Sequence, residues 1–218
     1  MNLDQYKDLK NSIENAGGLL VAVSKTKPNE AIQSLYNAGQ RIFGENRVQE
    51  LVAKQEALPK DIQWHCIGHL QRNKVKYIAP FVALIHSIDS IELLKEVNKQ
   101  AKKNNRTISI LLQFHIAKEE SKFGLNLKEA KVILESKFTF EHITFAGVMG
   151  MATFTSDEEQ VKLEFQSLKA IFDSLKSDYF DTDSNFKEIS MGMSGDYQLA
   201  LAEGSTMVRI GSLLFGSR

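Results

Sequence analysis

Cysteine is nearly absent from this chain, whose 218 residues contain only Cys66. A single cysteine excludes any disulfide within the chain. Residues 1–7 (Met-Asn-Leu-Asp-Gln-Tyr-Lys) also lack the apolar core of a secretory signal. Both features are typical of proteins in a reducing compartment, and we expect this protein to be cytoplasmic.

The sequence also lacks long apolar runs and an excess of charge of either sign. No run approaches the ~20 apolar residues that a membrane-spanning helix needs, and 27 basic residues balance 27 acidic ones. A formal net charge of zero gives no overall field that would attract nucleic acid or an anionic membrane, so we expect neither as a partner. No linker rich in proline or serine divides the sequence, and we expect one domain over residues 1–218.

Short apolar segments alternate with amphipathic ones along the chain. The apolar segments are nearly continuous runs, which is typical of parallel strands covered on both faces. We predict strands at 19–23, 41–43, 64–67, 82–88, 108–114, 143–149, 188–191 and 207–210, and helices at 3–16, 28–38, 48–58, 73–79, 91–103, 127–136, 158–175 and 195–202. The polar segment 176–185 is predicted to be a loop. Eight strand-then-helix units favour a closed (β/α)8 barrel over an open sheet.

Lys25 stands where the first predicted strand ends. The apolar run 19–23 gives way to Ser24 and Lys25, and Pro28 then suits the first turn of a helix. A lysine at the rim of a core is partly removed from water, which lowers its pKa and favours the neutral amine that Schiff-base chemistry requires. The alternative is a strand-end lysine whose ammonium group reaches solvent.

Two glycine-containing turns follow the last two predicted strands. They are residues 190–195 (Ser-Met-Gly-Met-Ser-Gly) and 207–212 (Met-Val-Arg-Ile-Gly-Ser). In barrels, the loops after strands seven and eight often bind phosphate through backbone N–H groups. The alternative is that Gly211 only permits a tight turn and that Ser194 only caps a helix.

Closure of the barrel would bring these features together. Strand eight neighbours strand one in a closed barrel, so Lys25 is expected close to Ser194, Arg209 and Gly211. A reactive lysine beside a phosphate-binding turn is the combination that pyridoxal 5'-phosphate (PLP) requires.

Several stretches, in chain order, resemble the PLP homeostasis protein family. They are residues 22–28 (Ala-Val-Ser-Lys-Thr-Lys-Pro), 43–46 (Phe-Gly-Glu-Asn) with 48–50, 64–71 (Trp-His-Cys-Ile-Gly-His-Leu-Gln) with 73–74, 191–194 with Asp196, 204–211 (Gly-Ser-Thr-Met-Val-Arg-Ile-Gly), and also 121–124. The matches span almost the whole chain. The resemblance implies a single-domain barrel similar to the N-terminal domain of alanine racemase, of fold-type III among PLP-binding proteins.

The resemblance also implies a set of cofactor-binding residues. It places a PLP aldimine on Lys25, the phosphate at Ser194, Gly211 and Ser212, and Arg209 opposite the pyridine nitrogen. Asn46 would lie beside the cofactor ring, although its spacing from Gln49 fits a helix capping box equally well. Met193, in the motif of Ser194, completes the set.

The function implied by the resemblance is a carrier or buffer of PLP that contributes to vitamin B6 and amino-acid and keto-acid homeostasis, with PLP-dependent apo-enzymes as recipients.

Racemases of this fold carry a second, β-rich domain and dimerise, which supplies a base on the opposite face of the cofactor. The chain ends at Arg218, so we expect no such domain, a monomer, and no efficient turnover. Arg209 can only donate a hydrogen bond, which leaves the pyridine nitrogen unprotonated and disfavours carbanion chemistry.

Two other functions stay open from the sequence. One is a small PLP-dependent enzyme with racemase-like activity. The other is a barrel isomerase of a phosphorylated metabolite, in which Lys25 would form a Schiff base with the substrate. No metal is expected, because His65, Cys66 and His69 form an incomplete ligand set.

Overall fold

The computed structural model describes residues 3–118 and 123–216. Their parallel strands close into a barrel in chain order, with β8 paired to β1. The strands are β1 Leu19–Val23, β2 Ile42–Glu45, β3 Gln63–Cys66, β4 Leu84–Ile88, β5 Ile108–Phe114, β6 Ile143–Gly150, β7 Glu188–Met193 and β8 Met207–Ile210. The predicted (β/α)8 barrel is confirmed.

Helices follow the strands and cover the outside of the barrel. They are α1 Leu3–Asn15, α2 Asn29–Asn37, α3 Val48–Ala57, α4 Val75–Ile78, α5 Ile91–Lys103, α6 Leu127–Glu135, α7 Glu158–Tyr179, α8 Tyr197–Ala202 and α9 Ser212–Phe215, with 3-10 turns at Arg72–Lys74 and Lys137–Thr139. No helix in the described ranges has both the length and the apolar character to cross a membrane.

The strands are apolar on both faces because two separate cores use them. Val21, Leu84, Leu111, Met149 and Met207 belong to a cluster inside the barrel. Alternate residues of the same strands pack outward against the helices in the larger cluster. This double burial explains why the strand segments read as continuous apolar runs.

Several boundaries differ from the prediction by one or two residues, and three differences have a clear structural cause. Helix α7 continues to Tyr179, so the predicted loop 176–185 is wrong for its first residues, and Phe180 and Phe186 then return to the core with their rings 4.1 Å apart. The predicted helix 73–79 is split into the 3-10 turn and α4. Strand β4 begins at Leu84, because the backbone N–H of Val82 still bonds to the carbonyl of Ile78 in α4.

Candidate functional site

A cavity of about 420 Å³ opens at the carboxyl ends of the strands. Its walls come from the segments that follow β1, β2, β3, β6, β7 and β8. All seven residues predicted to bind the cofactor line it: Lys25, Asn46, Met193, Ser194, Arg209, Gly211 and Ser212. Residues distant in sequence meet there because parallel strands of a barrel end at one rim.

Lys25 lies in a tight turn between β1 and α2 and is half-buried at the edge of the cavity. The N–H of Lys27 donates to the carbonyl of Ser24 at 3.0 Å and closes the turn. Thr26 has φ of 63°, a left-handed conformation that is strained for a β-branched residue. Its N–H donates to Glu50 Oε2 at 2.8 Å, which holds the turn in place.

A buried ion pair lies beneath this turn. The ammonium of Lys54 donates to Glu45 Oε1 at 2.6 Å and to the carbonyl of Ser24 at 2.8 Å, and Ser24 Oγ donates to Glu45 Oε1 at 2.6 Å. Burial raises the pKa of the Glu45 carboxyl, and the hydrogen bonds from Lys54 and Ser24 oppose that rise. The ion pair therefore fixes the backbone just before Lys25.

No motif in the sequence predicts that Glu45 and Lys54 form a pair. One signal was present: Lys54 follows Val48 and Leu51 at helical spacing, on the face of α3 that is buried. A lysine on the apolar face of a helix needs a partner in the core.

The turns after β7 and β8 meet at one side of the cavity. The N–H of Gly211 donates to Ser194 Oγ at 3.3 Å. A Cβ at Gly211 would lie 3.1 Å from the carbonyl oxygen of Val23, so glycine allows β8 to approach β1 closely. Ser194 is not a helix cap, because α8 begins at Tyr197 and Asp196 is its N-cap residue. The capping interpretation of Ser194 is wrong.

Arg209 projects from β8 into the barrel and is 5% exposed. Its Nη1 donates to the carbonyl of Ser190 at 2.8 Å and to Ser190 Oγ at 2.6 Å, and its Nη2 donates to the carbonyl of Gly150 at 3.0 Å. Burial lowers the pKa of the guanidinium to about 10, and the charge of Asp196 opposes this shift. Arg209 therefore stays protonated at neutral pH, and these bonds engage three of its five N–H groups.

Asn46 and Met193 complete the wall. Asn46 is not a helix cap, since Arg47 is the N-cap residue of α3, so its capping interpretation is wrong as well. A Cβ at Gly68 would lie 2.4 Å from the carbonyl oxygen of Asn46, so glycine there lets the segment after β3 pack against it. Met193 is 38% exposed and gives the cavity an apolar surface.

The side chains considered above as metal ligands do not point to one place. His65 points into the barrel, Cys66 packs toward the helices, and His69 is exposed with its Nδ1 3.2 Å from Asp89 Oδ2. In residues 3–118 and 123–216, no group of three or more His, Cys, Asp or Glu side chains is arranged to hold a metal ion. Of the motif at 121–124, Ser121 and Lys122 lie outside the described residues.

Known proteins are similar to almost the whole chain. Residues 3–218 match the alanine racemase N-terminal domain family. A pyridoxal phosphate homeostasis protein of Aquifex aeolicus is 41% identical over 206 residues, which cover 94% of this chain and 89% of the relative. The human pyridoxal phosphate homeostasis protein is 38% identical over 210 residues, covering 91% of this chain and 76% of the relative.

Solved structures of PipY from Synechococcus elongatus have the same fold. The structure without PLP has a TM-score of 0.92 at 32% identity and covers 99% of this chain and 100% of PipY. The structure with PLP bound has a TM-score of 0.89 at 33% identity and covers 98% of this chain and 99% of PipY.

Proposed function

Because the chain belongs to the pyridoxal phosphate homeostasis proteins, within the alanine racemase N-terminal domain family, we propose that it binds PLP covalently through Lys25 and carries or buffers it. In this role the protein contributes to vitamin B6 and to amino-acid and keto-acid homeostasis. The observation that carries the proposal is the single cavity shared by Lys25, Arg209 and the turns after β7 and β8.

The residues of the cavity fit PLP in volume and chemistry. A volume of about 420 Å³ lies within the usual range for small-molecule sites. We assign the phosphate to Ser194, Gly211 and Ser212, where hydroxyl groups and a close backbone approach suit an anion. When bound, PLP supplies an aldehyde that condenses with primary amines and a ring that withdraws electrons.

The other side chains orient the cofactor. Arg209 would donate an N–H to the pyridine nitrogen and, having no acceptor, could not accept a hydrogen bond from a protonated one. Asn46 and Met193 would lie against the ring, and Lys25 would supply the amine from its tight turn. Lys27 is held elsewhere, because its ammonium donates to the carbonyls of Phe215 at 3.1 Å and Gly216 at 3.2 Å.

The protein is proposed to act as a carrier and not as an efficient enzyme. The relatives are named as homeostasis proteins, and Arg209 leaves the ring a weak sink for carbanion charge. PLP-dependent apo-enzymes are the proposed recipients, and a cytoplasmic single-domain monomer is the proposed form. The buried, unpaired Cys66 is consistent with a reducing compartment.

The experiment separates carrier from racemase. The protein is loaded with PLP, its visible absorbance is followed, and an L-amino acid is added in D₂O. We expect PLP to bind and the rate of α-hydrogen exchange to stay near the rate with free PLP. A PLP-dependent apo-enzyme that is then added should regain its activity by taking PLP from the loaded protein. Many exchange turnovers per bound PLP would instead support the racemase-like alternative, which the alanine racemase N-terminal domain match favours.

A further inference from the structure

Four polar side chains form a continuous hydrogen-bonded chain across the barrel. Arg209 Nη1 lies 2.6 Å from Ser190 Oγ, which lies 3.0 Å from His86 Nδ1, and His86 Nε2 lies 3.0 Å from His65 Nδ1. None of the four residues is more than 5% exposed. Because β4 and β7 are not neighbours in the sheet, the bond from Ser190 to His86 crosses the barrel interior.

Arginine fixes the direction of the first hydrogen bond, because a guanidinium has no acceptor and Ser190 Oγ therefore accepts from Arg209. The hydroxyl hydrogen of the fully buried Ser190 then needs an acceptor of its own, and His86 Nδ1 lies in place for it at 3.0 Å. His86 then carries its proton on Nε2 and donates it to His65 Nδ1. His65 carries its remaining proton on Nε2, on the side of a second cavity of about 240 Å³ that it lines at the amino-terminal end of the barrel.

In this direction the chain closes only if both histidines are neutral. Burial lowers the pKa of His65 to about 3, and burial, followed by the charges of His65 and Arg209, lowers the pKa of His86 well below its ordinary value. A protonated His86 would turn Nδ1 into a donor, and the hydroxyl hydrogen of Ser190 would lose its acceptor. The neutral imidazole of His86 thus accepts from Ser190 and leaves Ser190 Oγ oriented to accept from the guanidinium.

We propose that His86 is a positioning residue that acts through Ser190 to hold the guanidinium of Arg209 toward the pyridine nitrogen of PLP. His65 fixes the tautomer of His86 from the far side. This inference rests on the proposed function, since it assigns to the buried chain the orientation of the group that meets the cofactor ring. It requires an acceptor at the position of His86 Nδ1.

The test compares two amides at position 86 with two cofactors. In His86→Asn the amide oxygen can take the place of Nδ1, whereas in His86→Gln the amide reaches the place of Nε2 and leaves Ser190 without an acceptor. Each variant is loaded with PLP or with the analogue that has CH in place of the ring nitrogen. The rate of cofactor release and the ¹⁵N chemical shift of ¹⁵N-labelled PLP are measured.

We expect His86→Gln to release PLP about tenfold faster than the unmodified protein and to shift the ¹⁵N resonance, because a buried charged hydrogen bond loses its orientation. The nitrogen-free analogue should show no such acceleration. His86→Asn should restore most of the retention of PLP. An equal acceleration with both cofactors, or equal behaviour of the two variants, would overturn the inference and indicate a role in packing alone.

A further variant keeps the test valid if the substitutions at position 86 do not fold. Ser190→Ala removes the link itself and is small enough for the barrel interior. Acceleration with PLP but not with the analogue supports the positioning role, and equal acceleration with both overturns it. Failure of the unmodified protein to bind PLP would instead contradict the proposed function, so the two failures are distinguishable.

Discussion

Two polar networks support the two sides of the cavity, and they differ in charge. Beneath Lys25, the network is ionic: Lys54 pairs with Glu45 at 2.6 Å and lies 3.6 Å from Glu50. Beneath Arg209, the network is neutral, and all three hydrogen bonds of the guanidinium end on neutral oxygens of Ser190 and Gly150.

The difference indicates where positive charge is available to a ligand. The charge of Lys54 is compensated by carboxylates, so this lysine serves the backbone of the Lys25 turn. The guanidinium of Arg209 is hydrogen-bonded only to neutral oxygens, and the carboxylate of Asp196 acts on it from the wall of the same cavity without a direct ion pair. A site for an anionic, phosphorylated cofactor is favoured by a cation that is not tied up in an ion pair, and the neutral chain keeps this one in place.

The largest effect should come from breaking the ionic network. In Lys54→Met the carboxyl of Glu45 stays buried without its partner, and we expect a loss of about 3–5 kcal/mol in the free energy of unfolding. Urea denaturation measures it. Lys131→Met is the matched control, because its pair with Asp178 is exposed to solvent and little loss of stability is expected there. A loss in Lys54→Met no larger than in the control would contradict the ionic account.

Removing the guanidinium charge should weaken PLP binding. In Arg209→Gln a shorter, neutral amide replaces the charged donor, and we expect an affinity for PLP lower by about 1.5–3 kcal/mol, or roughly tenfold to a hundredfold. Arg41→Gln, which removes a half-exposed cation paired with Asp61 before β2, should leave the affinity unchanged. Absorbance titration with PLP gives both values, and an equal loss in both variants would show that general charge is responsible.

Acid should lower the stability of the fold through the buried histidines of the neutral chain. Histidines whose folded pKa is depressed stabilise the fold fully above their unfolded pKa of about 6.5, and this stability is lost as the pH falls toward the folded value. For His65 that value is about 3. The free energy of unfolding should be lower at pH 5 than at pH 6.5 by about 2 kcal/mol for each buried histidine.

The variant His65→Asn supplies the control for this pH dependence. It removes one titrating group, and the slope of stability against pH should fall accordingly. A slope that is the same in the variant and the unmodified protein would show that His65 does not titrate on unfolding.

The smallest effect concerns the strained turn at Lys25. Thr26→Gly should relieve the strain of φ at 63° and raise stability by about 0.5–1 kcal/mol. Asn105→Gly is the matched control, because asparagine tolerates its φ of 52° and little gain is expected there. Thermal unfolding measures both, and a loss of stability in Thr26→Gly would show that the turn is not strained.

The sequence alone predicted the barrel because eight short, largely apolar segments alternate with amphipathic ones. It predicted boundaries less well, because hydrogen bonds such as that from Val82 to Ile78 decide where a strand begins. Lys25, Ser194, Arg209 and Gly211 could be grouped in advance because they lie at or just after strand ends, which a barrel brings to one rim. Only the family resemblance placed Asn46, Met193 and Ser212 with them.

The two supporting networks could not be read from local pattern. The contact between His86 and Ser190 joins strands four and seven, and it depends on how the closed barrel sets the inward residues at one level. The available signals were weak: a lysine on the buried face of α3, and histidines at inward positions of β3 and β4. Polar residues inside otherwise apolar segments mark such networks without naming their partners.

The central claim, that PLP is held through Lys25, is tested most directly by borohydride reduction of the PLP-loaded protein and peptide mass mapping. The account predicts a pyridoxyl group on Lys25, its loss in Lys25→Ala, and its retention in Lys27→Ala. A pyridoxyl group on Lys27 or Lys74, with Lys25 unmodified, would contradict the account.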